Sequence, residues 1–206
     1  LSEQEKLNLY GEPHGRIEYF LKSYPRTLKY EDGQSILDAG CGRGQNIKVL
    51  SKYFPTSKIK AFDLSEGALS VVKLGIQNQK QIHLEIASLT DLNYLQQLPD
   101  NGFDHVLVSH VFSFIMTSGE ATTIQLRQQI IDELIRISSS TVLILDGPEI
   151  LHLKEPSFYI EQLQRASYEE SIIRYYNKHL NHGEVCVVFS PESIGFLFFH
   201  KNTNIS

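Results

Sequence analysis

Residues Ile36 to Gly44, ILDAGCGRG, decide the fold. A short apolar run ends on Asp38 and passes straight into Gly40, Gly42 and Gly44. Glycines in that position let the backbone turn tightly and approach a ligand closely, because no Cβ stands in the way. A helix expected from about Asn46 would present its first N–H groups to the same spot. A nucleotide-like ligand at the first strand-to-helix crossover is implied.

Working outward, five short apolar runs read as strands: Ser35 to Ala39, Lys58 to Phe62, Ile82 to Ile86, Phe103 to Ser109 and Thr141 to Leu145. Segments of helical length lie between them, at Asn46 to Tyr53, Ser65 to Ile76 and Thr117 to Ile137. The last carries Ile124, Ile130, Ile131, Leu134 and Ile137 on one broad face. Thr117 and Glu120 stand at capping-box spacing before it. Alternating strands and helices predict a parallel sheet covered on both faces. The end of the chain differs: Val185 to Phe189 and Gly195 to Phe199 are separated by only five residues, too few for a helical crossover, so an antiparallel hairpin is expected there. Residues 1–31 read as a helical lead-in, with Ile17, Phe20 and Leu21 at helical spacing after Pro13. Residues 147–182 read as a mainly helical excursion and the place for substrate-side structure.

The glycine spacing also discriminates between ligands. The dinucleotide fingerprint needs its third glycine three positions after Gly42, where Gln45 stands, and this argues against a nicotinamide cofactor and an oxidoreductase. A cofactor with an amino-acid tail needs room for a carboxylate and an ammonium, plus an acid such as Asp38. In this arrangement the chain resembles the class I S-adenosylmethionine-dependent methyltransferases over roughly Ser35 to Asp146. The resemblance implies an α/β, Rossmann-like, three-layer fold with a seven-stranded, mainly parallel sheet and an antiparallel C-terminal hairpin.

It also implies a cofactor site. Asp38 and the backbone of Ala39, Gly40, Cys41 and Gly42 would hold the methionyl end of S-adenosylmethionine. Asp63 closes the second strand, nineteen residues after Gly44, where its carboxylate can accept from both ribose hydroxyls. Leu64 would lie against the adenine, while Ser65 would cap the next helix with Glu66 in its first turn. After the third strand the family normally carries an acid for the adenine amino group; here Ser88 and Leu89 occupy that place, with Asp91 as the alternative three residues on. Ser109 and His110 leave the fourth strand near the methyl-donating sulfonium. His110 is the candidate base or acceptor-pocket residue, against the plainer role of a hydrogen-bonded strand end.

Composition bounds the partners. The 206 residues suit one α/β domain, residues 1–206. A formal net charge of −5 offers no field to gather a phosphate backbone, so no strong nucleic-acid signal is present. Cys41 and Cys186 match no metal-ligand spacing, and no metal is expected. Cys41 reads as a small turn residue without thiol chemistry. No apolar run reaches membrane-spanning length and no signal-like start is present, which predicts a cytoplasmic protein.

Tyr10, His14 and Arg16 could close the pocket or form a solvated helix face; Tyr168, Tyr175, Tyr176 and His179 could form a lid or pack on the sheet. The fourth strand is followed by SHVF, not the Asn-Pro-Pro-Tyr-like tetrad of many amino-methylating enzymes. A small-molecule acceptor is the leading expectation, with protein or RNA acceptors second. The competing class is a non-catalytic S-adenosylmethionine-binding regulatory or partner subunit.

Overall fold

A computed structural model describes residues 16–23, 25–76, 79–146 and the strands at 184–189 and 194–199. The lead-in forms helices α1 (Arg16–Ser23) and α2 (Pro25–Leu28). Then follow β1 (Ser35–Ala39), α3 (Gln45–Tyr53), β2 (Lys58–Asp63), α4 (Glu66–Gly75), β3 (Ile82–Ile86), α5 (Leu92–Gln97), β4 (Phe103–Ser109), a 3-10 turn (Phe112–Phe114), α6 (Glu120–Ile137) and β5 (Ser138–Asp146). The last two strands are β6 (Glu184–Phe189) and β7 (Ile194–Phe199). The sheet order is β3-β2-β1-β4-β5-β7-β6; β1 to β5 pair in parallel, whereas β7 runs antiparallel to both β5 and β6.

The period-two alternation of a strand splits the core into two layers. Leu37 of β1 faces the layer filled by Phe62, Val106, Ile130, Leu134 and Val142, beneath α5 and α6. Its neighbour Ile36 faces the opposite layer with Ile47, Leu50, Ile59, Leu69 and Leu143, beneath α3 and α4. Ile17, Phe20 and Leu21 of α1 are buried in that second layer, as their spacing predicts. Being covered on both sides, β1 is buried from Ile36 to Ala39, whereas the edge strand β3 stays partly exposed along its length.

Ser65 caps α4 as expected, its side chain accepting from Ala68 N. Thr117 does not cap α6. That helix starts at Glu120 behind Gly119, which lends no side chain, and the Thr122 and Thr123 hydroxyls donate to the Gly119 carbonyl instead. Helix α5 was not predicted from periodicity, being only six residues long. Its start is marked by Asp91, whose carboxylate accepts from Tyr94 N at 3.2 Å.

The topology puts the C-terminal ends of β3, β2, β1 and β4 side by side. Strand order reverses between β1 and β4, and open parallel sheets bind ligands in the crevice at such a switch point.

Candidate functional site

A cleft of about 700 Å³ opens over those strand ends, within the usual range for a small-molecule site. Its floor is the glycine turn. Gly40, Gly42 and Gly44 all take positive φ, at 79°, 52° and 78°. Gly40 and Gly44 are also sterically required: a Cβ on Gly40 would sit 2.4 Å from Val111 Cγ2, and one on Gly44 2.9 Å from Val72 Cγ2. A Cβ on Gly42 would meet no atom of the described residues within 4 Å, so at that position the absent side chain leaves the cleft itself clear. The turn is tied to β2, with Gly40 N and Cys41 N both donating to the Phe62 carbonyl.

Asp63 sits at the centre of the cleft wall. One carboxylate oxygen accepts from Gly42 N and the other from Ser65 N, each at 2.8 Å. An ionised carboxylate has lone pairs to spare after two such bonds and can still accept from a ligand diol. Leu64 beside it is 72% exposed, an apolar side chain offered to the cleft. The β3 end contributes Ala87, Ser88, Leu89 and Thr90; the β4 end contributes Ser109, His110 and Val111, with Phe114 and Ile115 beyond.

Asp38 and Ala39 do not reach the wall, because β1 is the central, doubly covered strand. The Asp38 carboxyl is fully buried under the turn, and among the described residues neither of its oxygens has a hydrogen-bond partner of ordinary geometry. Burial foremost, then the charge of Asp63, push it up to about 7, partly offset by the Asn46 amide. A poorly satisfied carboxyl buried beneath the cleft floor suits a ligand that brings a cation near it, since a nearby positive charge would offset the desolvation cost. Arg43 is the cation on the wall and can meet a carboxylate. An amino-acid tail carries both charges, so these residues fit a cofactor of that kind.

His110 takes φ 55°, a left-handed conformation uncommon for a side-chain-bearing residue, and its N–H donates to the Leu145 carbonyl at 2.8 Å. That bond holds the β4 exit against β5 and keeps His110 on the cleft wall. Cys41 is buried, with its thiol pushed up by burial and by the nearby carboxylates, which suits a turn residue without thiolate chemistry.

The cleft therefore brings together Gly40, Cys41, Gly42, Asp63, Leu64, Ser88, Leu89, Ser109 and His110. Asp91, the alternative to Ser88, caps α5 by accepting from Tyr94 N and lies off the wall that the described residues form. Arg43, Asn46, Thr90, Val111, Phe114 and Ile115 were missed. Asn46 was legible as the first turn of the helix after the glycines; Phe114, 77% exposed, carries no sequence signal that separates it from any surface aromatic. Tyr10, His14, Tyr168, Tyr175, Tyr176, His179 and the side chains of Arg16 and Cys186 lie outside the described residues.

A family model of a methyltransferase domain matches residues 37–140, half of the chain and every strand end that builds the cleft. This chain belongs to the methyltransferase domain family. Among curated members, malonyl-[acyl-carrier protein] O-methyltransferase of Bacillus cereus is 25% identical over 118 residues, 49% of this chain and 42% of that protein. The matches cover 23% to 48% of the lengths of the curated relatives, so the chain spans less than half of each. Among solved structures, a SAM-dependent methyltransferase from Aquifex aeolicus aligns with TM-score 0.60 at 18% identity, over 95% of this chain and 96% of that one. A candidate S-adenosyl-L-methionine-dependent methyltransferase from Methanococcus maripaludis aligns with TM-score 0.62 at 14% identity, over 98% and 92% of the two chains. At those identities the likeness establishes the Rossmann-like methyltransferase fold.

Proposed function

We propose that the chain is an S-adenosylmethionine-dependent methyltransferase acting on a small-molecule acceptor and releasing S-adenosylhomocysteine. One observation carries the reading: sheet order lines up groups whose chemistry matches the cofactor part by part. Ser88 and Thr90 at β3 with the apolar Leu64 and Leu89 suit the base. Asp63 at β2 suits the ribose diol, and the glycine turn with Arg43 and buried Asp38 suits the methionyl carboxylate and ammonium. Ser109 and His110 at β4 would then lie on the side of the sulfonium and the acceptor.

When bound, the cofactor would supply an electrophilic methyl group for a nucleophilic acceptor, and a protic acceptor would need a group to take its one proton. The chain's own residues have the task of alignment. Asp63 and the turn would fix the donor, Phe114 and Ile115 would keep the approach apolar, and His110, on the same wall, would take the acceptor's proton. The acceptor-side excursion expected at residues 147–182 lies outside the described residues. The compact cleft and the acidic chain support a small acceptor over a nucleic acid.

Calorimetric titration with S-adenosylmethionine and S-adenosylhomocysteine, with Asp63→Ala and NAD as controls, tests the cofactor. Micromolar binding that is lost in the variant supports it; absence of binding, or binding of NAD alone, overturns it. Methyl transfer to any acceptor in a small-molecule screen separates an enzyme from a non-catalytic binding subunit.

A further inference from the structure

The β3 end of the cleft carries hydroxyls and no charge. Ser88 Oγ lies 2.8 Å from Thr90 Oγ1 and accepts from Thr90 N at 3.2 Å. The acids nearest in sequence are engaged elsewhere. Asp91 accepts from Tyr94 N as the cap of α5, and Glu85 is held by Lys60 at 2.9 Å, the Tyr94 hydroxyl at 2.5 Å and His83 at 3.0 Å. Neither lies on the wall. Asp63, the carboxylate that does, is fixed by the N–H groups of Gly42 and Ser65 one strand away.

A carboxylate at the edge of a base slot can only accept, and it therefore selects a ring amino group over a ring carbonyl. A hydroxyl pair behaves differently: either oxygen can donate to the other, so rotation presents an O–H or a lone pair to the ligand. We propose that the Ser88–Thr90 pair reads the purine edge of the cofactor and makes this cleft tolerant there, accepting both the 6-amino and the 6-oxo form of the nucleoside. This rests on the cofactor assignment above and extends it to the specificity of the base slot. Its physical basis is that the 6-oxo ring, with a carbonyl and a protonated neighbouring nitrogen, reverses the donor and acceptor pattern of adenine, and a rotatable hydroxyl pair can follow that reversal without an unpaired group.

The test is calorimetric competition on the full chain between S-adenosylhomocysteine and S-inosylhomocysteine, in the wild type and in Ser88→Asp, with thermal unfolding confirming that the variant is folded. The wild type is expected to bind the two within about fivefold, and Ser88→Asp to favour the amino form by at least about tenfold more. A wild type that already rejects the oxo form by about thirtyfold or more overturns the proposal whether or not the variant folds, as does a folded variant with an unchanged ratio. A wild type that binds neither ligand overturns the cofactor assignment itself, and the base-slot proposal with it.

Discussion

The Gly42 N–H donates to Asp63 Oδ2 at 2.8 Å, joining the glycine turn after β1 to the acid that ends β2. The other Asp63 oxygen accepts from Ser65 N, so the carboxylate also ties down the start of α4. Replacing it removes a ligand partner and two supports of the cleft at once. Asp63→Ala is expected to weaken S-adenosylhomocysteine binding at least about thirtyfold by calorimetry and to lower stability by about 1–3 kcal/mol in urea unfolding, the range for losing hydrogen bonds to a charged group. Unchanged affinity would remove Asp63 from the site.

The glycines should separate in a pair of variants. Gly40→Ala combines a positive φ with a 2.4 Å clash on Val111 and should lose about 2–4 kcal/mol of stability. Gly42→Ala meets no protein atom, so its cost should be the conformational one of about 1–2 kcal/mol, while its methyl group obstructs the cleft and lowers ligand affinity about tenfold or more. Thermal unfolding and calorimetry on both variants check this. A Gly42→Ala protein with wild-type affinity would place the ligand elsewhere.

His105 predicts an acid-side loss of stability. It is fully buried on β4, stacked on Tyr30 at 3.9 Å, with Nδ1 2.6 Å from Thr141 Oγ1 and Nε2 2.7 Å from Gln34 Oε1. Burial lowers it to about 4 against the nearby Asp104 charge, whereas the unfolded chain titrates near 6.5. Between those values the unfolded state binds more protons, so stability is complete above about pH 6.5 and is lost as pH falls towards 4, by about 3 kcal/mol at most. Urea unfolding across pH 4 to 8 should show that slope in the wild type and a flatter one in His105→Gln. An equal slope in both would assign it to other groups.

Asp38 runs the other way. Its carboxyl is pushed up to about 7 from the ordinary value of 3.8, so the folded state binds more protons between those limits and stability falls as pH rises through them. Asp38→Asn should therefore be at least as stable as the wild type at pH 8. It should also bind S-adenosylmethionine more weakly, since the negative charge beneath the cleft floor that would favour the ligand's ammonium is gone. Affinity should rise with pH from 6 to 8 in the wild type and stay flat in the variant; parallel profiles would show that Asp38 serves only the fold.

The sequence by itself determined the local elements. Strand β1, the β4 limits and the Ser65 cap stand where pattern and turn chemistry put them, because a doubly covered strand is a continuous apolar run and a cap is a contact between near neighbours. The need for glycine at residues 40, 42 and 44 was legible for the same reason, since φ is a property of each residue. Tertiary structure decided what those elements do together. Only strand order sets the ends of β3, β2, β1 and β4 side by side, and strand periodicity does not specify which strand is whose neighbour. Likewise, Thr117 has the right chemistry for a cap it does not form, and Asp91 caps a helix that the sequence pattern does not show. The helix that Asp91 caps is too short to show a period, and Thr117 is left behind when Gly119 opens α6. The burial of Asp38 beneath its own turn depends on helices packing over both faces of β1, a fact of the assembled layers that nine residues of sequence do not contain.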